Sequence, residues 1–378
     1  MGPILALTLI LSAALPDRTL ILEPKVDLRL VTGTEWDTNA RRSVVTTQAL
    51  NAGPAEVGEA IADGLLRVLV DAEAILKLTP LDRLSLTYVL GAKRFFREES
   101  EDLVAHDLSF NSAHRLSERF TLETQARFRS SRVRSGLRDY TIGSAGGGLS
   151  FAAHDKLLIA VYGRAEAFSF GASDDYSYLG PTAELMIRFF PMQRLELSLF
   201  GGPVLRAYDG FAYRVVTSND GSTAAVRCDG SSAECPRTLR TDTEGDVGFR
   251  VSFRGSFIVG GEGILRIQRS TSEIERIDRY RLSAYATIPL PWELTLSLIG
   301  ALQYNHGTSA SQQLYVAEDD ENQNSIAVQL GRKLMDPLRL DVRYALFANE
   351  FATAPARFLR QTVYLGLSCA FDAETSSE

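Results

Sequence analysis

The sequence predicts an all-β protein: a transmembrane, antiparallel up-and-down β-barrel of about sixteen strands. Three observations carry that prediction. Long segments alternate apolar and polar residues at every second position, the period of a strand with two unlike faces. The connections alternate between short turns and longer loops, as they do on the two sides of an outer membrane. No apolar run reaches the roughly 20 residues of a membrane helix, yet 45% of the 378 residues are hydrophobic. A barrel hides its apolar residues at alternate positions, so a mean hydropathy of -0.04 is compatible with one.

The clearest segment is 63–96. Leu66, Val68, Val70, Ala72, Ala74, Leu76 and Leu78 interleave with Arg67, Asp71, Glu73 and Lys77. The turn Pro80-Leu81-Asp82-Arg83 reverses the chain, and Leu84, Leu86, Tyr88, Leu90 and Ala92 restart the alternation. The result is a hairpin with about 13 residues per strand, long enough to cross a bilayer at a tilt.

Ahead of it, residues 1–14 have the apolar core and small residues of a secretory signal, without a basic residue before the core. The barrel domain is expected over 15–378. The first strand, 25–37, sets Val26, Leu28, Leu30 and Trp36 against Asp27, Arg29, Glu35 and Asp37. Further strands are expected at 103–114, 120–130, 140–151, 157–170, 177–190 and 194–208. In them Glu123, Arg127 and Arg129, then Arg164 and Glu166, Glu184 and Arg188, and Glu196 and Arg206 occupy the charged face. A long non-strand segment, 210–244, follows. Strands at 245–257 and 278–288 place Arg250, Arg254 and Arg281 on the same face; Arg266 and Gln268, in a strand at 262–274, join it if Leu265 and Ile267 face lipid. The last four strands, at 292–304, 324–334, 338–349 and 358–371, add Arg339, Asp341, Arg343 and Arg360. An even count returns the chain to the side it started from and leaves no edge unpaired in lipid.

The connections at 79–83, 115–119, 152–156, 191–193, 289–291 and 335–337 are short; those at 98–102 and 318–321 are acidic and belong to longer loops. Trp36, Phe95, Phe189, Phe190, Trp292, Tyr304, Phe358 and Phe371 gather near strand ends, as interfacial girdles do. Cys228 and Cys235 stand in a polar, Gly/Ser-rich stretch that suits a small disulfide-closed loop in an oxidising compartment, and Cys369 stands alone.

A barrel this wide cannot be filled by side chains, so it encloses water unless loops fold in. The charged face is then the pore lining. One reading has its arginines pair with acidic neighbours and solvate the wall. The other has a basic excess that favours anionic or hydroxyl-rich solutes.

Enzyme signals are poor. His154-Asp155 sits in a turn, His106 and Asp107 alternate onto opposite faces, and no nucleophile elbow, His-Glu-x-x-His or Cys-x-x-Cys is present. No catalysis and no cofactor are expected. The run at 318–321 reads as a solvated loop rather than a Ca²⁺ site. A net charge of -7 without a basic cluster excludes a nucleic-acid binder.

Gly33-Thr34-Glu35-Trp36-Asp37-Thr38-Asn39 resembles the Gly-x-x-aromatic-Asp-x-Asn opening of several outer-membrane porin families, some of which accompany exopolysaccharide export. The alternation ending at Phe371 resembles the C-terminal signal of such barrels, although further residues follow it here. The resemblance implies a porin-like barrel in the outer membrane of a Gram-negative cell, among lipids and lipopolysaccharide, and names no binding residue. The expected function is a pore for hydrophilic solutes, with exopolysaccharide exit as one use. The alternative is a non-enzymatic barrel subunit of an envelope assembly serving adhesion, motility or surface export, with periplasmic or envelope proteins as partners.

Overall fold

The computed structural model describes residues 23–40, 60–79, 81–136, 138–171, 174–217, 221–307, 324–350 and 357–374. The expected signal at 1–14 and the acidic run at 318–321 lie outside the described residues. The chain forms β1 (Glu23–Asp37), β2 (Asp63–Thr79), β3 (Asp82–Phe95), β4 (Leu103–Arg115), β5 (Phe120–Val133), β6 (Tyr140–His154), β7 (Leu157–Phe170), β8 (Tyr178–Met192) and β9 (Leu195–Phe211). A separate hairpin follows, β10 (Tyr213–Thr217) with β11 (Thr223–Arg227). The barrel resumes with β12 (Leu239–Arg254), β13 (Ile258–Ser270), β14 (Ile277–Leu290), β15 (Leu294–Gly307), β16 (Asn324–Met335), β17 (Leu338–Glu350) and β18 (Arg357–Glu374). Sixteen strands close into one barrel: β9 pairs with β12 across the small hairpin, and β1 pairs with β18.

All pairings in the barrel are antiparallel, and the registers keep apolar residues on one face from strand to strand. Leu298 stands beside Val328, Val328 beside Tyr344, Tyr344 beside Val363 and Val363 beside Trp36. This row faces outward. Leu199, Val247 and Leu302 are 58%, 59% and 60% exposed in mid-wall. In water, a continuous belt of such residues would bring together far more apolar surface than a monomeric soluble protein tolerates. Closure pairs the backbone groups of neighbouring strands, the condition for placing a sheet in hydrocarbon. Short turns lie at one rim, at 116–119, 155–156 and 193–194 among others, and longer connections lie at the other. The protein is a barrel of the Gram-negative outer membrane, with the short turns periplasmic and the lipid and lipopolysaccharide leaflets around its belt.

Three sequence expectations need correction. The hairpin expected at 245–257 and 262–274 is Leu239–Arg254 and Ile258–Ser270. The turn is made by Gly255, Ser256 and Phe257. Gly260 lies inside β13, where the Tyr285 ring occupies the space a Cβ would need. Second, the segment at 210–244 is not wholly irregular: it holds the end of β9, the β10–β11 hairpin and the start of β12. Third, Phe95 is not a girdle residue. It points inward and packs with Ala40 and Leu65, 5% exposed. Trp36, Phe189, Trp292, Tyr304 and Phe371 are exposed near the rims.

Candidate functional site: the charged lumen

The face opposite the leucine rows is concave, because side chains two strands apart meet across it. The Tyr162 hydroxyl on β7 donates to Glu123 on β5 at 2.8 Å, spanning β6. Arg343 on β17 donates to Glu35 on β1 at 3.1 Å, spanning β18. Gly148 makes the first contact feasible: the Tyr162 ring lies where a Cβ would stand. The same wall therefore alternates tyrosine and glycine for a packing reason.

Around β1, β2, β17 and β18 three inward carboxylates, Glu35, Asp37 and Asp341, form buried pairs. Glu35, 3% exposed, also receives Arg67 at 2.9 Å. Asp37, wholly buried, receives Arg360 at 2.6 Å and the Asn39 backbone N–H at 3.0 Å. Asp341 receives Arg339 at 2.9 Å, and Gln329 and Ser368 at 3.0 Å each. Asp71 stands opposite Arg29, Glu73 opposite Asp27 and Lys77 opposite Arg83.

On the other side of the lumen, Arg127 bonds Asp107 at 3.0 Å and Arg250 bonds Glu262 at 2.8 Å. Arg129 lies over the Tyr140 ring. Arg254 is at the periplasmic rim opposite Ile258. The Arg281 Nε is buried without a hydrogen-bond partner. Arg266 and Gln268 share the inward face, since Ile267 beside them is exposed outward.

The outer half of the lumen holds a network that the sequence did not announce. Arg240, Asp242, Glu244 and Asp246 alternate inward from the first half of β12. Arg240 forks onto Asp242 at 3.1 and 2.6 Å and lies 3.9 Å from the centre of the Tyr208 ring. Gln268 and Ser270 complete the Asp242 shell. Glu244 pairs with Arg206, which in turn covers the Tyr178 ring at 4.8 Å. Arg266 forks onto Asp246 at 2.9 and 2.8 Å. Beside this network Phe168, Phe170, Tyr178 and Tyr208 form a buried aromatic cluster. Among the described residues, Arg240, Asp242, Glu244, Gln268, Ser270 and Glu275 of this network are buried.

Outer loops dock on the network. Glu275, in a short turn between β13 and β14, comes within 3.5 Å of Arg240. Burial pushes its carboxyl up to about 7, against the pull of Arg240 and with the help of Asp242. The β10–β11 hairpin is tied to that turn, with the Tyr213 N–H donating to Ser272 and the Val215 N–H to Glu273. Arg227 bonds Asp175 at 2.7 Å, and Cys228 and Cys235 are joined by a disulfide.

Below the network lies a cavity of about 350 Å³. Arg164, Arg188, Glu184, Gln125, Thr182 and the Tyr162 ring line it. A second cavity of about 280 Å³ opens near the periplasmic side beside Arg83 and Asn111.

The histidines stand outside this site. His106 accepts or donates to the Tyr88 hydroxyl at 2.8 Å on the lipid-facing side. His114 pairs with Asp82 near the periplasmic rim, and the His154 ring nitrogen accepts the Lys156 N–H in a turn.

No protein-family model matches the sequence, and no curated protein matches it. Solved structures do. The outer-membrane protein opdK from Pseudomonas aeruginosa is 11% identical, with 93% of this chain and 99% of that chain covered at a TM-score of 0.43. OmpT of Vibrio cholerae is likewise 11% identical, covering 94% of this chain and 100% of that chain at 0.41. A bacterial polysaccharide outer-membrane secretin is 12% identical, covering 92% and 98% at 0.38. These are likenesses between barrels, and no residue role is carried over from them.

Proposed function

We propose that this barrel is a pore for hydrophilic solutes, lined by the inward row of Arg67, Asp71, Glu73, Lys77, Glu123 and Arg127 and their counterparts around the wall. One observation carries the reading: the barrel wall is apolar on its convex face and charged on its concave face, with water-sized space left between the inward side chains. A sixteen-strand barrel is too wide for side chains to fill. Several of the inward charges meet a partner of opposite sign, as Glu35, Asp37, Asp107, Asp246 and Glu262 do.

Exopolysaccharide exit is a use the opening motif suggests, and it requires the outer loops to leave a path. The second reading is an envelope subunit, and the disulfide-closed segment around β10 and β11 favours it. That segment is held to the outer turns by Tyr213, Val215 and Arg227, lies beyond the membrane, and offers a surface to a protein partner. Planar-bilayer recording of the refolded chain tests the first reading. Stepwise ohmic conductance is expected; a silent but folded barrel that co-purifies with an envelope protein would favour the second.

A further inference from the structure

We propose that the mid-lumen cavity between β5 and β9 is a binding subsite for small sugar acids, solutes that carry one carboxylate beside several hydroxyls. The inference rests on the pore reading for its route of access but not for its chemistry.

Arg206, Arg250 and Arg266 each bond a carboxylate directly, on Glu244, Glu262 and Asp246. Glu123 accepts from Tyr162 at 2.8 Å and from Ser150 at 3.2 Å. Arg164 and Arg188 are different. Their nearest carboxylates stand off, Glu166 at 3.7 Å and Glu196 at 3.9 Å. Glu166 already accepts the Tyr178 hydroxyl at 2.9 Å, and the Arg188 Nε aims at the Met186 thioether at 2.9 Å. A thioether is a weak acceptor for a cation. Both guanidiniums face the same cavity and keep donors in the fork geometry that a carboxylate matches.

The rest of the lining selects among carboxylates. Glu184 faces the cavity between Arg164 and Arg188, and no side-chain hydrogen bond engages it there. Its oxygens accept from hydroxyls on the same solute. Thr182 and Gln125 add further polar groups, and the Tyr162 ring provides an apolar face for the C–H side of a sugar. At about 350 Å³ the space lies within the ~300–1,000 Å³ typical of small-molecule sites. A simple carboxylate such as acetate leaves Glu184, Thr182 and Gln125 unmatched, and a neutral sugar leaves both arginines unmatched.

The test uses the full chain folded in detergent, with binding read by calorimetry for glucuronate, glucose and acetate, and conductance in potassium chloride read separately. Glucuronate is expected to bind at least about tenfold more tightly than either glucose or acetate, the loss that follows from one unmade charged hydrogen bond. Arg164→Gln with Arg188→Gln should abolish that preference, and Glu184→Gln should reduce glucuronate toward acetate. Arg134→Gln, in an outer loop, should leave binding unchanged. Retained heat-modifiable gel mobility shows that each variant is folded. Equal affinity for glucuronate and acetate, or an unaltered double variant, overturns the subsite. Conductance without glucuronate preference sinks the subsite and spares the pore; glucuronate preference without conductance does the reverse.

Discussion

At the scale of single residues, the inward charges divide into those that hold the wall together and those that face the cavity. Asp37 and Arg360 belong to the first group. They join β1 to β18, where the barrel closes, and both are almost wholly buried. Breaking a buried pair leaves an uncompensated charge, so Asp37→Ala should lower unfolding stability by about 3–5 kcal/mol. The exposed outer pair Arg134–Glu99 is the control: Glu99→Ala should cost under about 1 kcal/mol. Urea titration into lipid vesicles measures both, and equal effects would contradict the assignment. The opening Gly33–Asn39 stretch gains a physical meaning here. Glu35, Asp37 and Asn39 turn inward and are buried, while Trp36 between them faces lipid. Outward positions follow the opposite rule. Val247→Arg, in mid-wall, should destabilise the barrel by about 2–4 kcal/mol, measured by the same titration.

At the scale of the element, the β13–β14 turn is a pH-sensitive anchor. The docked Glu275 titrates near 7, above the ordinary 4.5 of an undocked carboxyl. A raised folded-state pKa means that docking is most stable below about 4.5 and loses this contribution as pH rises through about 7. Backbone amides at 271–276 should therefore exchange more slowly at pH 5 than at pH 8 once intrinsic rates are removed. Glu275→Gln should flatten that difference, and an unaffected variant would assign it elsewhere. This part of the molecule was also the least legible in the sequence. Strands such as β2 and β9 announce themselves because leucines alternate with charges. The first half of β12 does not: Leu239, Thr241 and Thr243 face outward against Arg240, Asp242 and Glu244, so above the membrane both faces are mostly polar. Its period was invisible without the partners Gln268, Ser270 and Tyr208, which come from other strands. The alternation predicts which residues share a face. It could not reveal which arginine meets which carboxylate, because Arg343 and Glu35 are brought together only by closure of the barrel.

At the scale of the whole molecule, one sheet divides two solvents, hydrocarbon outside and water within. Nitroxide labels placed singly along β14 test that most directly, in a Cys369→Ser chain reconstituted in lipid with its disulfide intact. At positions 280, 282, 284 and 286 the labels should be relaxed by oxygen, which concentrates in hydrocarbon. At 279, 281, 283 and 285 they should be relaxed instead by a water-soluble nickel complex. A period of two with opposite phases for the two agents is the predicted result; the same response at every position, or protection from both agents along one whole face, would contradict it.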